Sequence, residues 1–370
     1  MGNIRNFLFL HSIYSFVSGI LYIILPLMMV ERKINIITIG FIFGILPFTF
    51  QILRILFATL SDHFGRRKFL LLHGIATAVS SIVYYFAFTP LQFLAGKLTE
   101  VVKDASIWSI NRPIMMDHSK DKRYGLILMR VYDNIFSAVG ILISGLLLSY
   151  LFFSNSILAV FIMGLLIIPI PIFIKSPKNN GGSFKKAFSS LNFLKKTSSF
   201  KKFMIFYLIM GLADGFATSY IFPLFLSQKG FTPDLIGFIL GIQCIIAGFS
   251  TFVFRKISIR KSLILSLSYP VLLFILPFSS GVFISIFIFL IGITFGLIIS
   301  SSEGVVSLVS NKNRYGSDTG IIFLGYNLGR TINLSISGLI ISSYGFITLF
   351  PISSLLFILC VFYGARNIKE

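Results

Sequence analysis

Charged residues are scarce in this sequence of 370 residues, since they make up 12% of it against about 25% of an average soluble domain. Acidic residues are the rarest class, with 12 Asp and Glu against 32 Lys and Arg. There are two cysteines, Cys244 and Cys360, each inside an apolar run, so the sequence offers neither a disulfide framework nor a thiolate metal site. Hydrophobic residues account for 56%. This composition excludes a soluble globular protein and indicates an integral membrane protein.

Long apolar runs recur along the whole sequence. A membrane-spanning helix needs about 20 mostly apolar residues, and the first run, which begins at Phe7, is too long for the apolar core of a cleavable signal peptide. The runs predict an all-α integral membrane protein with twelve transmembrane helices, at 7–30, 36–60, 68–88, 91–115, 124–149, 154–174, 203–227, 232–254, 261–279, 282–309, 317–342 and 346–364.

Basic residues lie almost entirely in alternate loops. With the N-terminus in the cytoplasm, 24 of the 32 Lys and Arg fall in cytoplasmic segments, and we count Arg112, near the cytoplasmic end of span four, among them. The outer loops hold Arg32, Lys33 and Lys229. Because positive loops stay cytoplasmic, we expect both termini in the cytoplasm of a multi-pass protein of the cell membrane. The net charge of +20 is then a signal of topology and not of nucleic-acid binding.

A basic linker divides the chain into two groups of six spans, residues 1–174 and residues 203–370. The linker, residues 175–202, contains eight lysines and no acidic residue. Part of it has the apolar spacing of a surface helix on anionic lipids of the inner leaflet, although a solvated tether is equally compatible with its composition. The helical spacing is carried by Phe184, Ala187, Phe188, Leu191 and Leu194.

The two halves share an internal repeat. Arg123-Tyr124-Gly125 precedes span five, and Arg314-Tyr315-Gly316 precedes span eleven. Two related six-helix halves are typical of transporters that build a central site and expose it alternately to the two sides of the membrane.

The loop between spans two and three carries a specific motif. The sequence from Ala58 to Leu70, ATLSDHFGRRKFL, resembles the G-x-L-a-D-r-x-G-r-k-x-x-l signature of the major facilitator superfamily. The positions that fit are Leu60, Asp62, Gly65, Arg66, Arg67 and Leu70, while Ala58 and His63 depart from the pattern.

This resemblance implies two pseudo-symmetric six-helix halves and transport by alternating access. It also implies that Asp62 latches the cytoplasmic side by contacting the start of span eleven, near Gly316 to Thr319. Span five lacks the Gly-Pro pair of many antiporters in that family, which weakens the case for export by antiport.

Several ionisable residues lie inside the predicted spans, where each is a candidate functional residue because charge at membrane depth is costly. In span four, Lys97, Glu100, Lys103 and Asp104 fall within an arc of about 120° on a helix. At these spacings they can pair with one another. The stripe therefore either lines a cavity or serves as a structural set of ion pairs.

Further charges are predicted at a similar depth in the other spans. Asp133 or Glu100 is the expected proton carrier, because a carboxylate beside a movable base can bind and release a proton; a structural clamp between Arg130 and Asp133 is the alternative. His11 and His73 are expected to be interfacial side chains. The remaining candidates are Asp214 and Arg330 around the central volume and Glu303 as a gate.

These residues predict a secondary active transporter that moves a small organic solute and is coupled to protons. Five internal acids face four deep bases, namely Lys97, Lys103, Arg130 and Arg330, which favours a polar or charged solute. The alternatives are a multidrug or metabolite efflux antiporter, a passive channel, and a membrane-embedded enzyme, which lacks support because no nucleophile, metal or phosphate motif is present. We expect no metal, no cofactor and a monomer.

Overall fold

The computed structural model describes residues 2–173, 198–214, 219–310 and 315–368. These parts contain fourteen α-helices and no strand. The helices are α1 (Gly2–Glu31), α2 (Ile36–Phe64), α3 (Arg66–Tyr85), α4 (Pro90–Trp108), α5 (Asn111–His118), α6 (Lys122–Ile167), α7 (Ser198–Asp214), α8 (Ile221–Gln228), α9 (Pro233–Val253), α10 (Ile259–Leu265), α11 (Ser268–Ile275), α12 (Val282–Val309), α13 (Tyr315–Tyr344) and α14 (Phe346–Asn367).

Most predicted spans correspond to one of these helices, but some are divided or joined. Span four consists of α4 and α5, separated by a turn at Ser109 and Ile110. Helix α6 covers spans five and six, and the chain changes direction at Phe152, where φ is +58°. The predicted linker, with its surface helix, lies almost wholly outside the described residues.

Polar caps show why the helices start where they do. The Asn35 side chain accepts a hydrogen bond from the Thr38 N–H at the start of α2, and Asp121 caps α6 through the Tyr124 N–H. Such caps satisfy backbone donors that have no partner within the helix. Between α2 and α3, Gly65 has φ of +87°, a left-handed conformation that favours glycine, so the motif glycine makes the sharp turn that its position suggests.

The outer surface of the helices is apolar. Within the described residues, eight helical stretches are long and apolar enough to cross a membrane, and the longest, Lys122–Ile172, has 51 residues. That length suffices for two crossings of a hydrocarbon core about 30 Å thick. Phe88, Phe249 and Phe362 are each more than 60% exposed, as expected for side chains that contact lipid.

The two halves meet along two pairs of helices. Helix α2 packs along α13, and α6 packs along α9. A Cβ atom built on Gly40 would lie 3.0 Å from the Cα of Gly338, and one built on Gly237 would lie 2.8 Å from the Cα of Gly145. Small residues permit this backbone approach. These glycine crossings lie away from the end of the bundle at which α1 begins, which we call the termini end.

Polar bonds add to the contact between α2 and α13. The Gln51 amide donates to the Gly320 carbonyl at 2.6 Å, and its oxygen accepts from Asn327 at 2.7 Å. The backbone N–H of Phe48 donates to the Thr331 hydroxyl at 3.1 Å. The interface therefore combines close backbone packing with bonds that fix the register of the two helices.

Within the first half, α1 and α6 also cross at glycines. A Cβ atom on Gly140 would lie 2.0 Å from the Phe16 carbonyl oxygen. We expect Gly140→Ala to lower the thermal unfolding temperature of the purified protein in detergent, at a cost of about 1–3 kcal/mol for overpacking, because the two backbones must separate.

Gly248→Ala on α9 is the matched control, since its Cβ would come no closer than 3.1 Å to any atom. The Asn134 side chain must shift by a few tenths of an ångström to admit this methyl group, and the helix-propensity gain of up to about 1 kcal/mol offsets that cost, so this variant should lose much less stability than Gly140→Ala. Equal unfolding temperatures for the two variants would contradict the close crossing.

Candidate functional site

A cavity of about 480 Å³ lies between the two halves. Its wall comes from both of them, with Tyr14, Ser18 and Phe43 among the residues of the first half and Tyr269 and Phe295 among those of the second. The predicted site residues Lys97, Glu100, Asp104, Arg130, Asp133, Asp214 and Arg330 all line it, whereas Lys103 and Glu303 lie behind the wall and bond to residues that do.

The charged stripe of α4 forms every ion pair that its spacing predicts. Lys97 binds Glu100 at 2.9 Å, while Lys103 lies 3.7 Å from Glu100 and 3.2 Å from Asp104. The hydroxyl of Tyr84 donates a further hydrogen bond to Glu100 at 2.5 Å. Glu100 is thus held by three neighbours, and the stripe is electrically balanced.

Asp133 on α6 faces three groups of different chemistry. Its carboxylate accepts a hydrogen bond from the Ser15 hydroxyl at 2.7 Å and one from Arg130 at 3.1 Å. The Nε2 atom of His11 lies 3.9 Å away. The predicted clamp between Arg130 and Asp133 is present, and it coexists with exposure of both residues to the cavity.

Glu303 on α12 joins the two halves of the protein. It is fully buried and accepts hydrogen bonds from Arg112 at 2.6 and 3.2 Å through both carboxylate oxygens. Arg130 binds the same carboxylate at 2.9 Å. Charge-assisted and bidentate bonds of this kind are the strongest that side chains form. One acid of the second half therefore holds two bases of the first half.

The expectation that Arg112 lies in a cytoplasmic loop was wrong. Its exposed fraction is 1%, because the turn after α4 leads directly into the short helix α5, which stays within the bundle. A run of polar residues after an apolar span resembles a loop in sequence, and only the position of Glu303 shows that the arginine has a buried partner.

Trp108, at the end of α4, organises the bases around it. Its ring lies 5.0 Å from the guanidinium of Arg112 and 4.9 Å from that of Arg130, within the range of cation–π attraction. The indole N–H donates to the Tyr14 hydroxyl at 2.6 Å. The backbone carbonyl accepts from Arg54 Nε at 3.1 Å. Neither Trp108 nor Arg54 was predicted as a site residue, although both line the cavity.

The expectation that His11 and His73 are interfacial was also wrong, since both side chains are completely buried. His11 stacks between Phe7 and Tyr14, and the Nδ1 atom of His73 lies 3.1 Å from the Lys103 carbonyl oxygen. Position near a helix end misled the prediction, because that face of each helix packs against neighbouring helices.

In the second half, Asp214 ends α7 and accepts a hydrogen bond from Tyr326 on α13. Arg330, one turn further along α13, donates to the Ser219 hydroxyl at 3.1 Å. These residues lie beside the end of α7 and the start of α8. They place an acid and a base opposite those of α4 and α6.

The motif between α2 and α3 is described in part. Arg66 forms an ion pair with Asp117 of α5 at 3.3 Å, and Arg67 is exposed. The side chain of Asp62 lies outside the described part of the chain, so its contact with the start of α13 stays a prediction.

Comparisons with known proteins agree with this architecture. The family model described as Major Facilitator Superfamily matches residues 7–276. The chain is similar in fold to the human organic anion transporter MFSD10 (TETRAN), with a TM-score of 0.74, 15% identity and coverage of 97% of this chain and 99% of that one. It is also similar to a mutant form of the nucleoside transporter NupG, with a TM-score of 0.76, 15% identity and 99% coverage of each chain. No curated protein matched.

We expect Glu303→Gln to destabilise the protein strongly, because it leaves Arg112 and Arg130 buried near each other without their shared acid. Removing one member of a buried ion pair costs about 3–5 kcal/mol. Thermal unfolding of the purified protein in detergent measures the loss.

Glu31→Gln is the control, since its side chain is 55% exposed and lies 3.6 Å from Arg32. A surface pair of this kind contributes at most about 1 kcal/mol. An equal loss of stability in both variants would show that Glu303 does not hold the two arginines.

Proposed function

We propose a function that starts from the family, because the chain belongs to the Major Facilitator Superfamily. It is therefore a secondary transporter of small solutes with twelve transmembrane helices, and not an enzyme. In this proposal it carries a polar organic solute through its central cavity by alternating access coupled to protons. The observation that carries this proposal is the charged wall of a cavity shared by both halves. Its volume is in the range of about 300–1,000 Å³ that small-molecule sites occupy.

Asp133 is the proposed proton carrier. Its carboxylate lines the cavity and accepts a hydrogen bond from the Ser15 hydroxyl. The Nε2 atom of His11 lies 3.9 Å from the same carboxylate. Glu100 is less suited to this task, because two lysines and Tyr84 surround its carboxylate and stabilise its charged form.

Arg130 links the proton to the contact between the halves. It bonds Asp133 at 3.1 Å and Glu303 at 2.9 Å, so the two acids share one guanidinium. When Asp133 is protonated, it no longer attracts Arg130 as a charge. Arg130 then pairs with Glu303 alone, and the ionic contact between the halves at the termini end is strengthened. Loss of the proton draws Arg130 back toward Asp133. In this way the protonation of one residue biases the alternation between states.

The distribution of basic loops supports a cell-membrane location with cytoplasmic termini, and the basic linker supports contact with anionic lipids of the inner leaflet. We propose that the protein acts as a monomer, because each chain has a complete cavity.

Efflux of lipophilic drugs is the second candidate function. It is favoured by the aromatic residues in the cavity wall, Phe43, Phe50, Phe295 and Phe323.

Transport by proteoliposomes with an internal pH dye tests this proposal, using pools of sugars, organic acids, amino acids and lipophilic cations. We expect one pool to move protons with the wild type. We expect Asp133→Asn to lose uphill, proton-driven accumulation of the active solute while still exchanging labelled for unlabelled solute, because the cavity remains but the carboxylate cannot release a proton.

Asp234→Asn, at an exposed position in the first turn of α9, is the matched control and should accumulate solute as the wild type does. Full uphill accumulation by Asp133→Asn would exclude Asp133 as the carrier. Loss of accumulation in Glu100→Gln alone would assign the proton to Glu100.

A further inference from the structure

The charges around the cavity do not balance. The sequence indicated more acids than bases, but the structure adds Arg54 and Arg112 to the bases. Among the described residues at or directly behind the wall there are five acids and six bases: Glu100, Asp104, Asp133, Asp214 and Glu303 against Arg54, Lys97, Lys103, Arg112, Arg130 and Arg330.

The excess base can be identified. The four charges of α4 balance one another, and Arg112 and Arg130 are matched by Glu303 and Asp133. Asp214 and Arg330 add one charge of each sign. Arg54 is the base left over, because no carboxylate among the described side chains lies within 4.0 Å of its guanidinium.

Arg54 nevertheless lies deep in the protein. It belongs to the apolar stretch Ile36–Ser61 of α2, and its exposed fraction is 3%. Its Nε atom donates to the Trp108 carbonyl at 3.1 Å, which fixes the side chain, and the guanidinium lies 5.2 Å from the centre of the Phe323 ring. A neutral carbonyl and an aromatic ring compensate a full charge only in part.

A buried charge without a counter-ion is costly, and here the cavity is the place from which a counter-ion can come. We propose that Arg54 binds the anionic group of the transported solute, so that the substrates of this protein are organic anions. This inference rests on the proposed transport function and specifies its substrate class.

The surroundings of Arg54 indicate the rest of the ligand. The Phe323 ring lies beside the guanidinium, and Phe50, one turn away on α2, and Trp108 line the same cavity. These rings offer an apolar surface beside a fork of N–H donors, an arrangement that suits a carboxylate, sulfonate or phosphate carried on an apolar or aromatic body. Arg112 and Arg130 already bond Glu303, and they add positive potential without being the primary contact.

Binding of an anion would also affect the conformational cycle. With all five acids ionised, the cavity that holds a monovalent anion is electrically neutral, whereas the empty cavity holds one uncompensated positive charge. Closing the halves removes water from that charge, which costs more when no anion is present. The loaded carrier therefore closes more readily than the empty one.

Ligand binding to the purified full chain in detergent tests this inference without any need for transport. The probes are benzoate, benzenesulfonate, phenyl phosphate and octanoate, with benzamide as the neutral member and benzylamine as the cationic one. Stabilisation against thermal unfolding measures the affinity, and emission from Trp108, the single tryptophan of the chain, reports contact at this site.

We expect at least one anion to bind the wild type more tightly than benzamide and benzylamine do. Arg54→Gln should lower the affinity for that anion by roughly tenfold or more, which is the usual effect of losing a charge-assisted hydrogen bond. Arg54→Lys, which keeps the charge but not the fork of donors, should bind with intermediate affinity. Arg255→Gln, outside the cavity at the end of α9, should bind as the wild type does.

Three results would overturn the inference: benzamide or benzylamine binding at least as tightly as every anion tested, undiminished anion binding by Arg54→Gln, or no binding of any anion by the wild type. The preference of the wild type for anions decides the matter if Arg54→Gln does not fold. Anion binding without proton movement would instead refute the proposed coupling and leave Arg54 as an anion site.

Discussion

A charge in the hydrocarbon region of a membrane must be neutralised by another group or face water, and this constraint determines how the present structure is assembled. Each half contributes charges that it cannot neutralise alone. Arg112 and Arg130 of the first half depend on Glu303 of the second, which receives three hydrogen bonds at 2.6–3.2 Å. The halves are thus held together at the termini end by ion pairs as well as by packing.

The same constraint connects the contact between the halves to the cavity. Arg130 bonds both Glu303 and Asp133, and Trp108 lies against Arg112 and Arg130 while its carbonyl holds Arg54. A change of charge at one member of this group alters the partners of the next. The proposed proton carrier, the proposed anion site and the contact between the halves therefore involve one connected group of side chains, as coupled transport requires.

The fold was largely predictable from the sequence, because spans are set by length and apolarity, and the motif around Gly65 added a specific family resemblance that the comparisons confirmed. The ion pairs of α4 followed from helical spacing alone. Pairing between distant segments did not, since nothing in the sequence places Glu303 beside Arg112. The errors at His11 and His73 have the same origin, because a residue near a helix end is exposed or buried according to what packs against it.

The glycine crossings at the end of the bundle opposite Glu303 bring backbone against backbone, at Gly40 with Gly338 and at Gly145 with Gly237. Helices that meet at small residues can change their crossing angle with little loss of contact. Helices with interdigitated side chains would first have to separate. The two halves can therefore turn about these crossings, while Arg112 and Arg130 hold the opposite end closed through Glu303. Opening the termini end would then have to break only the few ionic bonds that join Arg112 and Arg130 to Glu303.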